Sequence, residues 1–404
     1  MLSKLKNLGP GLLFAGAAIG VSHLVQSTRA GADFGMGLLW ALLLVNVFKY
    51  PFFQFGPRYA AATGESLLDG YNKLGKGVLA IYYILNFATM FTIQTAVTIV
   101  TAGIAFTLFG NNFSVEIWTI IILAICISIL ILGKYKLLDR LMKVIIITLT
   151  ISTILAVFIA LSKNAYPISF QQILPNNSLE IAFLIAFMGW MPAPLDVSIW
   201  QSLWTVEKNK NSKHYNPKSI LFDFNIGYLS TIILGIGFLT LGALVMFNSG
   251  KTFSSSAGVF SSQLINMYTA SLGNWAYIII GIAAFTTMFS TTLTTLDASP
   301  RVMAKATQLL FKKPSKFNYI FWVTLLATGT ICIFLFLASE MGLLIKVATI
   351  LSFITAPFFA IINYVLISSK HTPKEWHPSK TLHVLSWLGI TFLIAFSIWY
   401  LTTL

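Results

Sequence analysis

Residues 9–35 read Gly9-Pro10-Gly11-Leu12-Leu13-Phe14-Ala15-Gly16-Ala17-Ala18-Ile19-Gly20-Val21-Ser22-His23-Leu24-Val25-Gln26-Ser27-Thr28-Arg29-Ala30-Gly31-Ala32-Asp33-Phe34-Gly35. The stretch is long and apolar enough for a membrane span, yet its middle carries Gly16, Gly20, Ser22 and His23 instead of a solid apolar run. A helix broken inside a bilayer frees backbone polar groups, which is tolerated only where they line a protein cavity. The reading is therefore a discontinuous helix with non-helical backbone at Gly20 to His23. A second interrupted span, Ile181 to Trp204, holds Gly189-Trp190-Met191-Pro192-Ala193-Pro194. Two interrupted spans in corresponding positions of two halves point to the substrate site of a secondary transporter.

The rest of the chain agrees. Of 404 residues, 57% are hydrophobic and only 9% charged, with mean hydropathy +0.82; a soluble domain carries roughly 25% charged residues. Eleven apolar stretches are long enough to cross, at 9–30, 36–55, 77–108, 115–133, 138–162, 180–204, 222–247, 267–296, 318–339, 342–369 and 381–403. The fold class expected is all-α and integral to the membrane, one transmembrane domain spanning 1–404. The first span lacks a small-residue cleavage site and reads as a retained helix. Cys126 and Cys332 both fall in apolar spans and imply no disulfide framework.

The net charge of +14 does not indicate nucleic-acid binding, because of where the charge lies. With the N-terminus inside and loops assigned alternately, the inner side collects all of the 26 basic residues except Arg29, Lys163, Lys251 and Lys346. Lys49 is counted to that inner side and Lys346 falls within a span. This asymmetry is the positive-inside rule. It predicts a cytoplasmic N-terminus, an outer C-terminus and a plasma (inner) membrane location. Loops are short; the longest, about 205–221, is basic and includes Glu207-Lys208-Asn209-Lys210-Asn211-Ser212-Lys213-His214. The layout suggests two five-helix halves, 9–162 and 180–369, with an extra helix at 381–403. Five is odd, so the halves have opposite topology, an inverted repeat.

At the broken helices the chain resembles the Nramp (natural resistance-associated macrophage protein) family of proton-coupled divalent-metal transporters, which have the LeuT-type fold. The resemblance is carried by Gly9-Pro10-Gly11-Leu12-Leu13, by Ala30-Gly31-Ala32-Asp33-Phe34-Gly35-Met36-Gly37-Leu38-Leu39-Trp40, by Met191-Pro192, and by Ser290-Thr291-Thr292-Leu293-Thr294-Thr295-Leu296. It implies a 5+5 inverted repeat with broken helices 1 and 6. The family's Asp-Pro-Gly-Asn metal motif falls on Gly20, Val21, Ser22 and His23, so the metal-binding Asp and Asn are gone. The family's Met-Pro-His becomes Met191-Pro192-Ala193, a second family His falls on Ser198, acidic residues of the third span fall near Gln94 and Val97, and a tenth-span Gln falls near Thr349.

The candidate substrate-binding residues are Gly20, Ser22, His23, Gln26, Met191, Ala193, Asp196, Ser198 and Thr349, with Gln201 among the residual polar groups. Lys346, Asp196, Gln94 and Arg29 are the candidates for coupling or gating. His23 can ligate a soft metal, donate to a solute or carry a proton, or be satisfied by freed carbonyls. Asp196 can bind, carry a proton, or cap the second half-helix. Lys346 faces the site or snorkels to the interface. Arg29 and Asp33 form a pair or an outer gate, Asp297 and Arg301 a structural i,i+4 pair, and Trp190 and Trp200 flank the break as candidate cavity walls.

With no nucleotide-binding loop, the expectation is a secondary transporter and not an enzyme, with no cofactor, no nucleic acid and no obligate protein partner. Its partners are the lipid bilayer and an ion or small-molecule substrate. The rebuilt site favours import of a small polar or carboxylate solute coupled to an ion gradient. The alternative is a proton-coupled divalent metal, held by His23, Met191 and Asp196.

Overall fold

The structure is a computed structural model. It describes residues 9–110, 112–132, 135–163, 168–210, 217–247, 253–311, 316–337 and 341–402. Among these no strand occurs, as expected for segments that must satisfy every backbone group internally in lipid. Lys4, Lys6, Lys134, Lys213, Lys251, Lys312 and Lys313 of the charge count, and His214 of the basic loop, lie outside the described residues.

The first span is α1 (Pro10–Ala18) followed by α2 (Ser22–Phe34), bent 48° at the break. Then come α3 (Leu39–Thr63), the short α4 (Leu67–Leu74), α5 (Lys76–Phe109), α6 (Val115–Leu132) and α7 (Tyr135–Lys163). The second broken span is α8 (Ser178–Trp190) and α9 (Val197–Lys210). It is followed by α10 (Pro217–Val245), α11 (Ala257–Leu272), α12 (Ala276–Phe311), α13 (Lys316–Leu337), α14 (Met341–Ile367) and α15 (Lys380–Leu401). Among the described residues seven helices are long and apolar enough to cross a membrane, eight with the bent pair. Large apolar side chains such as Ile84, Leu132 and Phe336 are exposed, as a lipid-facing surface requires.

Three expectations need correction. The stretch 267–296 is not one span: α11 ends at Leu272 because Gly273 takes φ +102, and α12 then runs without interruption to Phe311. At the first break only Ile19 and Gly20 leave the helix; Val21 is helical again, and Ser22–Ser27 form a π-helical turn. Ser22 and His23 therefore sit on helical backbone. Lys49 is not at an inner surface: α3 continues to Thr63, and Lys49 is 0% exposed at mid-helix.

The bundle is closed by small residues. A Cβ on Gly11 would lie 2.0 Å from the Asp223 carbonyl oxygen, and one on Gly31 would lie 1.9 Å from that of Leu239. From the other side, a Cβ on Gly227 would lie 2.0 Å from the Gly11 carbonyl and one on Gly242 2.2 Å from that of Thr28. Both halves of the first span thus lie backbone to backbone along α10, the close approach that small residues permit between membrane helices. The remaining walls are α5 against α12 and α14 against α8.

Charge is used sparingly. The α1 start is capped by Asp223 of α10: the Gly9 amide donates to both carboxylate oxygens at 3.1 Å and the Gly11 amide to Oδ2 at 2.9 Å. Pro10 between them has no N–H to satisfy. An anion at a helix N-terminus also complements the macrodipole. Within α12 the expected pair is present, Arg301 Nε donating to Asp297 Oδ2 at 2.7 Å, with the Tyr319 hydroxyl donating to Oδ1 at 2.6 Å.

Candidate functional site between two helix breaks

The two breaks face each other: the Ser22 hydroxyl lies 3.3 Å from the Pro192 carbonyl oxygen. Between them lies a small, partly open cavity. Ala17, Ala18, Gly20, Val21 and Ser22 line it from the first span, and Trp190, Pro194, Val197 and Trp200 from the second. Ile93 and Val97 of α5 and Thr291 and Thr295 of α12 complete the wall. Gly20 is needed there, since a Cβ would meet the Thr291 side chain at 2.9 Å. Of the candidate substrate-binding residues, Gly20 and Ser22 line the cavity; Trp190 and Trp200 line it too. Trp190 is oriented by donation from its indole nitrogen to Ser352 Oγ at 2.8 Å. The Trp200 indole nitrogen is buried and has no hydrogen-bond partner.

The other candidates are elsewhere. His23 is fully buried with its ring turned toward α10: Nε2 lies 3.0 Å from the Thr231 carbonyl oxygen and Nδ1 2.7 Å from the Ser22 hydroxyl. The ring nitrogens are thus already engaged. Gln26 is buried but outside the lining. Gln94 donates to Thr98 Oγ1 at 3.1 Å and to the Thr292 carbonyl at 3.3 Å, in the seam between α5 and α12. Ser198 donates to the Leu195 carbonyl at 2.7 Å and accepts from Asn363 Nδ2 at 3.0 Å. Thr349 spends its hydroxyl on the Ile345 and Lys346 carbonyls of its own helix. Lys346 is half-buried and outside the lining. Arg29 donates to the Ser254 carbonyl at 2.7 Å and its guanidinium lies over the Phe260 ring, tying α2 to the segment that leads into α11.

The second break holds what the sequence reading missed. α8 ends at Trp190, and a helix C-terminus leaves its last carbonyls without helical partners. Lys49 reaches them from α3. Its Nζ donates to the carbonyls of Met188 and Gly189 at 2.7 Å each and of Met191 at 3.2 Å, with that of Ala193 at 3.5 Å. Three close acceptors match the three hydrogens of an ammonium. A cation at a helix C-terminus is also what the macrodipole favours. Met191 and Ala193 thus take part through their carbonyls; the Met191 thioether lies instead against Gly235 of α10. Asp196, at the start of α9, is 4% exposed, interacts electrostatically with Lys49, and has one carboxylate oxygen, Oδ1, without a partner. The signal for Lys49 was available: it lies within the apolar stretch 36–55, and ionisable residues inside a membrane span are functional candidates.

A model of the natural resistance-associated macrophage protein-like family matches residues 11–403. The chain belongs to the Nramp family. It is 39% identical over 407 residues to uncharacterized protein PM0681 of Pasteurella multocida, covering 99% of this chain and 92% of that one. It is 25% identical to a divalent metal cation transporter, MntH, of Staphylococcus saprophyticus, over 97% of this chain and 90% of the relative. Its fold is similar to that of a mutant of the Eremococcus coleocola manganese transporter seen by crystallography, with TM-score 0.75 and 12% identity over 98% of this chain and 86% of the other. As an Nramp protein with a LeuT-type helical fold it is a multi-pass membrane transporter of an ion or small molecule, and not an enzyme.

Proposed function

We propose that this Nramp protein is an ion-gradient-driven importer of a small carboxylate solute with a compact apolar body, bound in the cavity between the two breaks. The observation that carries this reading is the prior occupation of the α8 carbonyls by the Lys49 ammonium. The cavity then offers the unpartnered Trp200 indole N–H and the starting end of α2, while the Ser22, Thr291 and Thr295 hydroxyls on its wall already donate to backbone carbonyls. The Trp200 N–H and the helix start suit an anionic oxygen, and Ala17, Ile93, Val97 and Trp190 suit an apolar remainder. A hard divalent cation wants several oxygen ligands with charge among them, and no acidic side chain lines this cavity.

The wider layout belongs to the same reading: eleven spans, repeats over 9–162 and 180–369 in opposite topology, N-terminus cytoplasmic and C-terminus outside, in the plasma (inner) membrane. The helices α3, α7 and α8–α9, added to the eight apolar crossings, support that count.

A second reading, divalent-metal transport, is favoured by the Staphylococcus saprophyticus relative. Thermal unfolding of the purified protein against small carboxylic acids and divalent metals separates the two. A specific ligand at 100 times its Kd adds about 2.7 kcal/mol of stability. Stabilisation by a short apolar acid, matched by its uptake into proteoliposomes, is the expected outcome. Saturable manganese uptake without any response to acids would replace this reading with the metal one.

A further inference from the structure

We propose that the end of α8 is a monovalent-cation site that the chain fills with its own side chain, and that Lys49 is a tethered cation whose removal exposes the site to a free one. The inference concerns the second break alone and is independent of which solute the cavity carries.

The site is built like one for a desolvated monovalent cation. Its ligands are backbone carbonyl oxygens converging from both sides of the break, Met188 and Gly189 from the last turn of α8 and Met191 and Ala193 from the extended segment after it. Neutral carbonyl dipoles suit an ammonium or an alkali ion. Asp196 lies buried beside the break and interacts electrostatically with Lys49. Nothing in this arrangement needs the butyl stem of Lys49, which only carries the charge in from α3. The charge itself cannot be dispensed with. Without it, carbonyls at a buried helix end are left without donors, and that costs more than never burying them.

Tethering alters the coupling of the protein. A free ion binds and leaves with each cycle, so its gradient can do work. A tethered ammonium stays with the chain and can deliver only a proton. With Lys49 in place, this site gives the carrier no response to sodium or potassium. One with the site opened acquires a requirement for a small cation.

The test is the melting temperature of the purified protein in sodium, potassium, ethylammonium, magnesium and manganese chlorides at equal ionic strength. The wild type should show no preference among the five. Lys49→Ala leaves room for a guest and should melt lower in magnesium and manganese, with a saturable rise of several degrees in ethylammonium or in one alkali cation. Lys49→Met fills the space with an uncharged chain and should show no such rise. If Lys49→Ala cannot be extracted folded, its yield when cells are broken and extracted in each salt gives the same reading. Recovery in ethylammonium or an alkali salt supports the site, and equal loss in all salts overturns it. The proposal also falls if Lys49→Ala matches the wild type without a cation, if Lys49→Met responds as Lys49→Ala does, or if manganese stabilises Lys49→Ala best.

Discussion

The two broken spans handle the same electrostatic problem at opposite ends. In the first span, α1 is anchored at its N-terminus by the Asp223 carboxylate, and its carbonyl end opens toward the cavity through Ala17, Ala18 and Gly20. In the second, α8 is anchored at its carbonyl end by the Lys49 ammonium, at the break itself. Both charges come from a neighbouring helix and both oppose the macrodipole. The difference is that one break remains open and uncharged while the other is stoppered. Two interrupted helices are therefore not two equivalent halves of a ligand site.

The comparison can be broken most severely at Asp223. Asp223→Ala strips the cap from the Gly9 and Gly11 amides, and hydrogen bonds to a charged group are worth about 1.5–3 kcal/mol. We expect a loss of about 2–3 kcal/mol in thermal or denaturant unfolding, with Asp223→Asn recovering part of it. A stability unchanged by Asp223→Ala would mean that α1 is held by its glycine contacts alone. Next is Gly20→Ala, whose Cβ meets Thr291 at 2.9 Å. Overpacking there should cost about 1–3 kcal/mol and reduce uptake. Gly20→Ala combined with Thr291→Ala should regain most of both, a coupling that single-site effects would not show. The smallest effect belongs to Lys346→Ala. This residue is half-buried and outside the lining, so stability should stay within about 0.5 kcal/mol and uptake should not change. Loss of uptake with stability intact would bring Lys346 into the transport cycle.

The breaks were legible in the sequence because Gly20-Val21-Ser22-His23 and Met191-Pro192-Ala193-Pro194 cluster several interruptions in one apolar run, whereas a lone proline such as Pro357 stays inside a continuous helix. Side-chain direction was not. The π-helical turn at Ser22–Ser27 changes the rotation per residue, so no α-helical wheel places the His23 ring against Thr231 rather than in the cavity. At Met191 the thioether drew attention, yet in the extended conformation after α8 its carbonyl is the group engaged by Lys49. Lys49 was assigned to a surface because charge counting places a basic residue in the nearest loop, whereas α3 extends well past it. Asp223 was passed over as the start of an apolar span; its partners are 214 and 212 residues away, beyond any local pattern.

The glycine contacts between the first span and α10 have a mechanical consequence. Gly11, Gly31, Gly227 and Gly242 bring the two backbones together above and below the break, and the His23 ring joins them at the level of the break. Fastened at three heights, the first span and α10 must travel as one body. Any opening of the cavity falls to the surfaces that slide against that body, chiefly α5 and α12 with their threonines and α9 with Trp200.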